Sequence, residues 1–256
     1  MSFPKLAFLL VCATCLAGCG GAAPTASSPS ETDVAAPGLP ALADTPIPTP
    51  TSPVSAYAFP QQIDPEAEYL FYLHGQIIED QGLPAISPDY GKYEYIAILE
   101  ALQGYDYIVI SEQRQADTDL VEYARRVAGQ VTLLLVAGVK PEHITVIGAS
   151  KGAGIAIYVS QALANRQVNY VLLSFCHPDN VQALIAAGIT LYGNVLSIYD
   201  ASDTLAGSCQ ELAAFSVGKG IADFEELVLQ IGTAHGILYQ PLLEWVLPAV
   251  EWGRKH

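Results

Sequence analysis

The stretch "ITVIGASKGAGIAIYVS", residues 144–160, places a serine between two glycines where two differently patterned segments meet. Its first residues are β-branched and apolar, which is the pattern of a buried strand. Its last residues, from Ile155 onward, are apolar at helical spacing. Ser150 therefore stands at a strand-to-helix corner, inside the pattern G-A-S-K-G at 148–152. Such a corner lifts the serine oxygen clear of the backbone, as a nucleophile requires. The alternative is that Ser150 only forms part of a tight turn.

Strand-like and helix-like segments alternate along the chain from about residue 66 onward, which is typical of a parallel α/β sheet. The strand-like segments are 69–74, 105–111, 143–149, 170–176, 194–200 and 227–233. Helical patterns occupy 93–103, 116–138, 151–166 and 240–253, and weaker ones occupy 179–187 and 208–218. The sequence therefore predicts an α/β fold with a mainly parallel sheet of about six strands flanked by helices. Pro248 predicts a kink or an early end in the last helix.

Three histidines follow predicted strands, at the edge where an open parallel sheet binds its ligands. They are His74, His177 and His235, whereas His143 begins a strand and is expected at the opposite end of the sheet. A serine nucleophile needs an imidazole to accept its proton and a carboxylate to orient that imidazole. Asp203 and His235 follow the last two strands, so serine, aspartate and histidine occur in that order.

A serine corner followed by an aspartate and a histidine, each after a strand, resembles the α/β-hydrolase superfamily. The resemblance covers 66–256, and it is most like a small bacterial branch that lacks a cap domain. The features shared with that branch are His-Gly after the first strand, a G-A-S-K-G elbow and an S-D…S-C segment. Caps of this superfamily usually enter in the interval that is 177–193 here, which is too short to hold one. The resemblance thus implies an α/β-hydrolase fold with an open site.

The resemblance also implies a role for each residue of the site. Ser150 is the nucleophile, His235 is the general base and later the general acid, and Asp203 orients His235. The backbone N–H groups of Gln76 and Lys151 form the oxyanion hole. His74 is expected to be structural and to form hydrogen bonds within its loop.

The identity of the triad acid is left open by the sequence. Asp203 is favoured because hydrolases of this type usually carry the acid a few residues past the strand. Asp200, which ends its strand, and Asp179, which follows the preceding strand, are the alternatives. His177, beside Asp179, is expected to start a helix rather than to act as a second base.

Two cysteines, Cys176 and Cys209, follow strands that are expected to be neighbours, so both should lie at the catalytic edge. In an oxidising compartment they would form a disulfide that braces the acid loop, and two buried free thiols are the alternative. A metal site built from these cysteines and His177 is not expected. The sequence predicts no cofactor and no metal.

The walls of the site are expected to come from 76–95 and from the turn at 111–114. Glu112 and Arg114 within that turn would either contact a polar substrate or form a solvated ion pair. The tyrosines of the first wall would line the rim or pack against a helix; they are Tyr90, Tyr93 and Tyr95.

The first residues, "MSFPKLAFLLVCATCLAGCGG", indicate an export leader. They contain one basic residue, Lys5, an apolar run too short to span a bilayer, and small residues before Cys19. This pattern resembles the bacterial lipoprotein cleavage box and predicts a signal peptide at 1–18 with lipidated Cys19; an ordinary secretory signal is the alternative. The Pro-, Ala-, Ser- and Thr-rich segment 19–55 predicts a disordered tether, which leaves 56–256 as the hydrolase domain.

Charge and anchoring limit the expected partners. The formal net charge of the chain is −15, which disfavours nucleic-acid binding. The tether lacks Lys and Arg, so contact with the membrane is expected through the N-terminal lipid alone. Gly20, rather than Asp, after the lipidated cysteine favours the periplasmic face of the outer membrane.

The sequence therefore predicts a cell-envelope lipoprotein that acts as a serine hydrolase on an ester or related acyl bond. Its partner would be a small-molecule or envelope acyl substrate. An esterase is favoured over a serine peptidase, because an uncapped domain of this size offers no evident apparatus for selecting peptide chains. The alternative class is a non-catalytic envelope binding module that retains the hydrolase fold.

Overall fold

The structure, a computed structural model, describes residues 53–256. The predicted signal peptide at 1–18, Cys19 and the tether up to residue 52 lie outside the described residues. The last residues of the predicted tether belong to a short 3-10 helix, Pro53–Tyr57. Within 53–256, every helix is too short or too polar to cross a membrane.

Six strands of the described chain form one sheet in which all neighbours are parallel, as the alternation predicts. The strands are β1 (Glu68–Leu73), β2 (Ile86–Ser87), β3 (Gly91–Lys92), β4 (Tyr107–Ile110), β5 (Ile144–Ala149), β6 (Asn169–Leu173), β7 (Gly193–Asp200) and β8 (Ile221–Leu229). The sheet order is β4-β1-β5-β6-β7-β8, while β2 and β3 form a separate antiparallel pair. The next strand of this sheet along the chain, β4, lies on one side of β1, and β5 lies on the other side. The loops after β1 and β5 therefore flank the topological switch point, where open α/β sheets bind ligands.

Helices cover both faces of the sheet. They are α1 (Gln76–Gln81), α2 (Tyr95–Gln103), α3 (Leu120–Val136), α4 (Lys151–Leu163), α5 (Pro178–Ala186), α6 (Gln210–Ser216) and α7 (Leu243–Lys255). Alternate residues of β1 belong to different buried clusters: Tyr69 and Phe71 pack with α3 and α4, whereas Leu70 and Tyr72 pack with α2 and α7. Because both faces are buried, the central strands are nearly continuous apolar runs.

The segment between β6 and β7 contains α5 and its short connections. The described residues therefore hold no cap domain, which confirms the expectation from the length of 177–193. The carboxyl edge of the sheet, where the cap of a larger protein would lie, is left open.

Two elements differ from the sequence-based expectations. β8 begins and ends earlier than the predicted 227–233, because it is an edge strand with charged residues among its apolar ones, and the apolar run alone marks only part of it. Pro248 lies inside α7, which continues to Lys255 without ending early. Pro248 is the sixth of the thirteen residues of this helix, which therefore lacks the hydrogen bond that an N–H at this position would donate to the carbonyl of Glu244.

Candidate active site

Ser150 lies at the corner between β5 and α4 in an unusual backbone conformation. Its φ is 51° and its ψ is −120°, a combination that residues with a Cβ rarely adopt. The N–H of Ser150 donates a hydrogen bond to the carbonyl of Leu173, at the end of β6, at 2.9 Å. This bond ties the strained corner to the neighbouring strand and fixes the direction of the Ser150 side chain.

The two glycines of the G-A-S-K-G pattern are required by close backbone contacts. A Cβ on Gly148 would lie 2.3 Å from the carbonyl oxygen of Gly152, and a Cβ on Gly152 would lie 1.9 Å from that of Leu73. Neither position has room for a side chain. The glycines therefore allow the start of α4 to pack directly against β5 and the end of β1.

Ser150, His235 and Asp203 form a chain of hydrogen bonds at the carboxyl edge of the sheet. The distance from His235 Nε2 to Ser150 Oγ is 3.0 Å, and the distance from His235 Nδ1 to Asp203 Oδ2 is 2.8 Å. His235 belongs to the 3-10 helix Ala234–Tyr239, after β8, and Asp203 lies in the loop after β7. Three segments that are distant in the chain thus meet at one point.

The carboxylate of Asp203 is buried, and its second oxygen accepts the N–H of Leu205 at 2.9 Å. Burial acts to raise the pKa of Asp203, but the hydrogen bonds and the charge interaction with His235 outweigh it and hold this pKa below its ordinary value. Asp203 is therefore ionised at neutral pH and accepts a hydrogen bond from the Nδ1–H group of His235. The other ring nitrogen, Nε2, is then free to accept the proton of Ser150.

The alternative acids occupy other places. Asp200 is buried, and its Oδ2 accepts the N–H groups of Ile231 and Gly232 at 2.9 and 3.1 Å. Its Oδ1 accepts the N–H and the hydroxyl of Ser202. Asp200 therefore joins the loop after β7 to the loop after β8 and does not contact the imidazole. Asp179 is exposed at the start of α5.

The remaining histidines of the sheet ends are structural. His177 caps α5, and its Nδ1 accepts the N–H of Asp179 at 3.3 Å, as expected for a helix-start residue. His143 lies at the opposite end of the sheet, with its Nε2 3.7 Å from a carboxylate oxygen of Glu68. His74 is fully buried, and its Nδ1 donates to the carbonyl of Gly75 at 2.8 Å.

Ser150 opens onto a cavity of about 390 Å³. The residues that line it are Gln76, Leu120, Ser150, Lys151, Ser174, Phe175, Asn180, Leu205 and His235. Of the walls expected at 76–95 and 111–114, only Gln76 contributes, so that expectation was wrong for most of its length. The apolar walls come instead from the start of α3 and from the loops after β6 and β7. Single apolar residues in loops carry no periodic signal, so the sequence did not indicate them.

Gln76 and Lys151 lie beside Ser150 at the starts of two helices. Gln76 is the first residue of α1 and Lys151 is the first residue of α4. The N–H groups of a first helical turn have no partner within their own helix. The loop that carries Gln76 is close to the serine, since a Cβ on Gly75 would lie 3.6 Å from Ser150 Cβ.

Glu112 and Arg114 do not form the solvated ion pair expected from their spacing. Glu112 pairs with Arg126 of α3 at 2.7 Å, and both side chains are largely exposed. Arg114 is buried and pairs with Glu79 of α1 at 2.5 Å. Neither residue lines the cavity at Ser150.

The tyrosines of the first expected wall have separate surroundings. Tyr93 and Tyr95 are buried in the core, and the Tyr93 hydroxyl lies 2.7 Å from that of Tyr72. Tyr90 is partly exposed, with its ring centroid 6.3 Å from that of His235. Packing rather than substrate contact therefore accounts for Tyr93 and Tyr95.

Cys176 and Cys209 are joined by a disulfide, and their Cα atoms are 5.2 Å apart. Cys176 lies in the loop after β6, and Cys209 precedes α6. The bond links the loop that carries Phe175 to the segment that follows Leu205. Both of those apolar residues line the cavity, so the disulfide connects two of its walls.

Solved structures of known proteins agree with this architecture. No family model matches the chain, and no curated protein sequence matches it. The solved structure of SOBER1 from Arabidopsis thaliana is similar with a TM-score of 0.51 and 12% identity, covering 74% of this chain and 98% of that one. ATU1826 from Agrobacterium tumefaciens, a protein of unknown function provisionally described as an alpha/beta hydrolase, has a TM-score of 0.51 and 15% identity, covering 75% of this chain and 87% of that one. The chain therefore has the fold of the α/β-hydrolase superfamily, the resemblance that its sequence predicts.

Proposed function

We propose that this protein is a serine hydrolase that cleaves an ester or related acyl bond through an acyl-enzyme formed on Ser150. The observation that carries the proposal is the hydrogen-bonded chain from Ser150 through His235 to Asp203, with distances of 3.0 and 2.8 Å. This constellation recurs on unrelated folds because it activates a hydroxyl group at neutral pH. Its position at the switch point of the sheet, beside an open cavity, gives a substrate access to it.

In the acylation step, Ser150 Oγ attacks the carbonyl carbon of the substrate while His235 Nε2 accepts the hydroxyl proton. The ionised Asp203 stabilises the imidazolium that forms, without taking the proton itself. The N–H groups of Gln76 and Lys151 donate hydrogen bonds to the oxyanion of the tetrahedral intermediate. Loss of one such donor typically raises the barrier by about 2.7–4 kcal/mol. The intermediate collapses when the C–O bond to the alcohol breaks and the leaving oxygen takes the proton from His235.

In the deacylation step, a water molecule enters the open cavity and loses a proton to His235 Nε2 as it attacks the acyl carbon. The same two amides bind the second oxyanion. Collapse of this intermediate releases the acid and returns the proton to Ser150 Oγ. In each half-reaction His235 first accepts a proton and then gives it up, so the cycle needs no further proton carrier.

A small acyl ester is the substrate class that the cavity favours. Its volume of about 390 Å³ suits a small molecule, and Leu120, Phe175 and Leu205 supply apolar walls. Asn180 is one of the polar side chains that line it, and its amide also donates to the carbonyl of Phe175 at 3.3 Å. A serine peptidase would need an extended cleft for the chain on either side of the bond.

We place this activity in the cell envelope, with the protein anchored by lipid on Cys19 at the periplasmic face of the outer membrane. The leader pattern at 1–18 supports export. The bond between Cys176 and Cys209 supports an oxidising compartment, since disulfides persist there and are rare in the cytosol. The acidic net charge of −15 supports a neutral acyl substrate over nucleic acid.

The proposal is tested with a fluorophosphonate probe, which labels activated serines, together with hydrolysis of short p-nitrophenyl esters. The parent protein is compared with Ser150→Ala and His235→Ala, and His143→Ala serves as the matched control at the opposite end of the sheet. We expect labelling and turnover in the parent and in the control, and neither in the two site variants. A folded parent that is neither labelled nor active would overturn the proposal in favour of the binding module. Cleavage of peptides but not esters would favour the peptidase.

A further inference from the structure

A cluster of charged side chains lies beside the cavity and has no part in the proton transfers above. It consists of Glu79 on α1, Arg114 in the loop after β4, and Lys151 at the start of α4. Glu79 Oε1 accepts a hydrogen bond from Arg114 Nε at 2.5 Å, and Glu79 Oε2 pairs with Lys151 Nζ. The side chains of Glu79 and Arg114 are almost fully buried, and that of Lys151 is 19% exposed.

The cluster joins the two helices whose first residues are the proposed oxyanion donors. Lys151 supplies one donor from its backbone, and its side chain binds Glu79, which lies one turn after Gln76 on α1. Arg114 extends the link to the loop before Gln76, because its backbone N–H donates to His74 Nε2 at 2.9 Å and its guanidinium donates to the His74 carbonyl. One set of ion pairs therefore links the two helices that carry the two amides.

Two further contacts hold the cluster in a single arrangement. Lys151 Nζ also donates to the carbonyl of Thr118 at 2.9 Å. Burial, together with the nearby charge of Arg114, lowers the pKa of His74 to about 3, so this imidazole is neutral at pH 7 and accepts the N–H of Arg114. The cluster therefore holds two positive charges and one negative charge, and His74 adds none.

Fold stability alone does not account for such a cluster. Removing a charge from water costs several kcal/mol even after the protein relaxes, and a buried ion pair is often no better than apolar side chains of similar volume. The benefit of a buried ion pair is geometric, because its hydrogen bonds have fixed directions. Geometry matters most at an oxyanion hole, where donors must lie about 2.7–3.1 Å from the developing charge.

We propose that Glu79 and the Lys151 side chain are positioning residues that fix the two oxyanion-hole amides relative to Ser150, with Arg114 holding Glu79 in place. The inference rests on the proposed function, in which Gln76 and Lys151 are the donors. Both side chains act through the backbone: Glu79 holds α1 and Lys151 holds α4. Separating the two helices leaves Ser150, His235 and Asp203 in contact but weakens the binding of the oxyanion.

Lys151→Met is the main test, because it keeps the backbone N–H and leaves the buried pair of Glu79 and Arg114 intact. Lys92→Met is the matched control, since Lys92 forms an exposed ion pair with Glu94. In the full-length protein we expect Lys151→Met to lower kcat about tenfold to a hundredfold, with KM changed by less than about twofold. Affinity for a boronic acid that forms a tetrahedral adduct on Ser150 should fall by a similar factor, because the adduct presents its oxygen to the same amides. The pH profile of kcat/KM should not move, because His235 and Asp203 are unchanged.

Glu79→Gln and the double variant with Lys151→Met show whether the two residues act as a unit. We expect the double variant to lose no more activity than Glu79→Gln alone, because coupled residues have non-additive effects. Active-site titration counts the folded, competent molecules, so a variant that merely unfolds loses titratable sites in proportion to its activity. A loss of that kind, or a double variant that shows the product of the two single effects, would overturn the proposal.

The outcome for the parent separates this inference from the proposed function. A parent that hydrolyses esters while Lys151→Met keeps its kcat and its boronate affinity shows that the hydrolase proposal is right and the positioning proposal is wrong. A folded parent without turnover or labelling shows that the hydrolase proposal is wrong, and the positioning proposal falls with it. Selective loss of kcat and boronate affinity supports both.

Discussion

Asp200 Oδ2 accepts the backbone N–H of Gly232 at 3.1 Å and thereby joins the end of β7 to the loop that carries His235. The same oxygen accepts the N–H of Ile231, and the hydroxyl of Ser202 accepts the N–H of Ala234 at 3.2 Å. Asp200 is buried, whereas Ile231 and Gly232, which donate to it, lie in an exposed loop. Asp200 does not contact His235, but it holds the loop that carries His235.

Asp200→Asn should weaken both stability and turnover. An amide has one acceptor oxygen where the carboxylate has two, so either the N–H groups of Ile231 and Gly232 or the N–H and hydroxyl of Ser202 lose their acceptor. We expect the free energy of unfolding to fall by roughly 1–3 kcal/mol. We also expect kcat to fall more than KM rises, because His235 is less well held. Urea unfolding and steady-state ester kinetics measure the two effects, and Asp179→Asn, at an exposed site, should change neither. Unchanged kinetics in a destabilised Asp200→Asn protein would limit Asp200 to a structural role.

The buried His74 should make the native state sensitive to mild acid. Its pKa is lowered from 6.5 to about 3, so the unfolded chain binds a proton between these values while the native protein does not. The free energy of unfolding is therefore not reduced by His74 above about pH 6.5. It falls as the pH is lowered from there toward 3, by up to about 1.4 kcal/mol per pH unit. Urea unfolding at a series of pH values measures this slope. His74→Gln should flatten it, whereas His177→Gln, at an exposed cap, should not; equal slopes in parent and His74→Gln would contradict the assignment.

Reduction of the bond between Cys176 and Cys209 should destabilise the domain and loosen its cavity. The bond closes a loop with a sequence separation of 33, and a disulfide of this kind typically contributes roughly 2–4 kcal/mol. We expect the midpoint of urea unfolding to fall in dithiothreitol and ester turnover to decline with it, since Phe175 and Leu205 lie on either side of the bond. The control is the double variant Cys176→Ser with Cys209→Ser, which should be insensitive to the reductant. A parent that is equally stable with and without dithiothreitol would show that the bond contributes nothing in solution.

Gly152→Ala and Gly129→Ala should have opposite effects on stability. A Cβ on Gly152 would lie 1.9 Å from the Leu73 carbonyl oxygen, so α4 would have to move away from β1, at a cost of about 3 kcal/mol or more. Gly129 lies in the middle of α3 with open space around its Cα, so an alanine there should add about 0.5–1 kcal/mol. Thermal and urea unfolding of both variants measure the difference. A stable, active Gly152→Ala protein would contradict the close packing at the corner.

Regular periodicity explains which parts of the fold could be predicted. The central strands are buried on both faces and α3 and α4 have apolar faces, so their patterns are visible in the sequence and the predicted sheet of about six strands is confirmed. The helix α1, at Gln76–Gln81, is too short for a helical period to appear and was not predicted. The charged residues of β8, an edge strand, obscure its pattern, so the predicted strand 227–233 coincides only with the last three residues of Ile221–Leu229.

The sequence by itself determined the elements with regular patterns, the corner at Ser150 and the order of serine, aspartate and histidine along the chain. These are local properties, because glycine spacing and apolar periods depend on neighbouring residues alone. Only the tertiary structure decided that Asp203 rather than Asp200 faces His235, and that Arg114 pairs with Glu79 rather than Glu112. Those pairings depend on where loops from different strands meet and on which way each side chain points there. The number of residues between two positions predicts neither the meeting place of their loops nor the direction of their side chains when strands and crossovers lie between them.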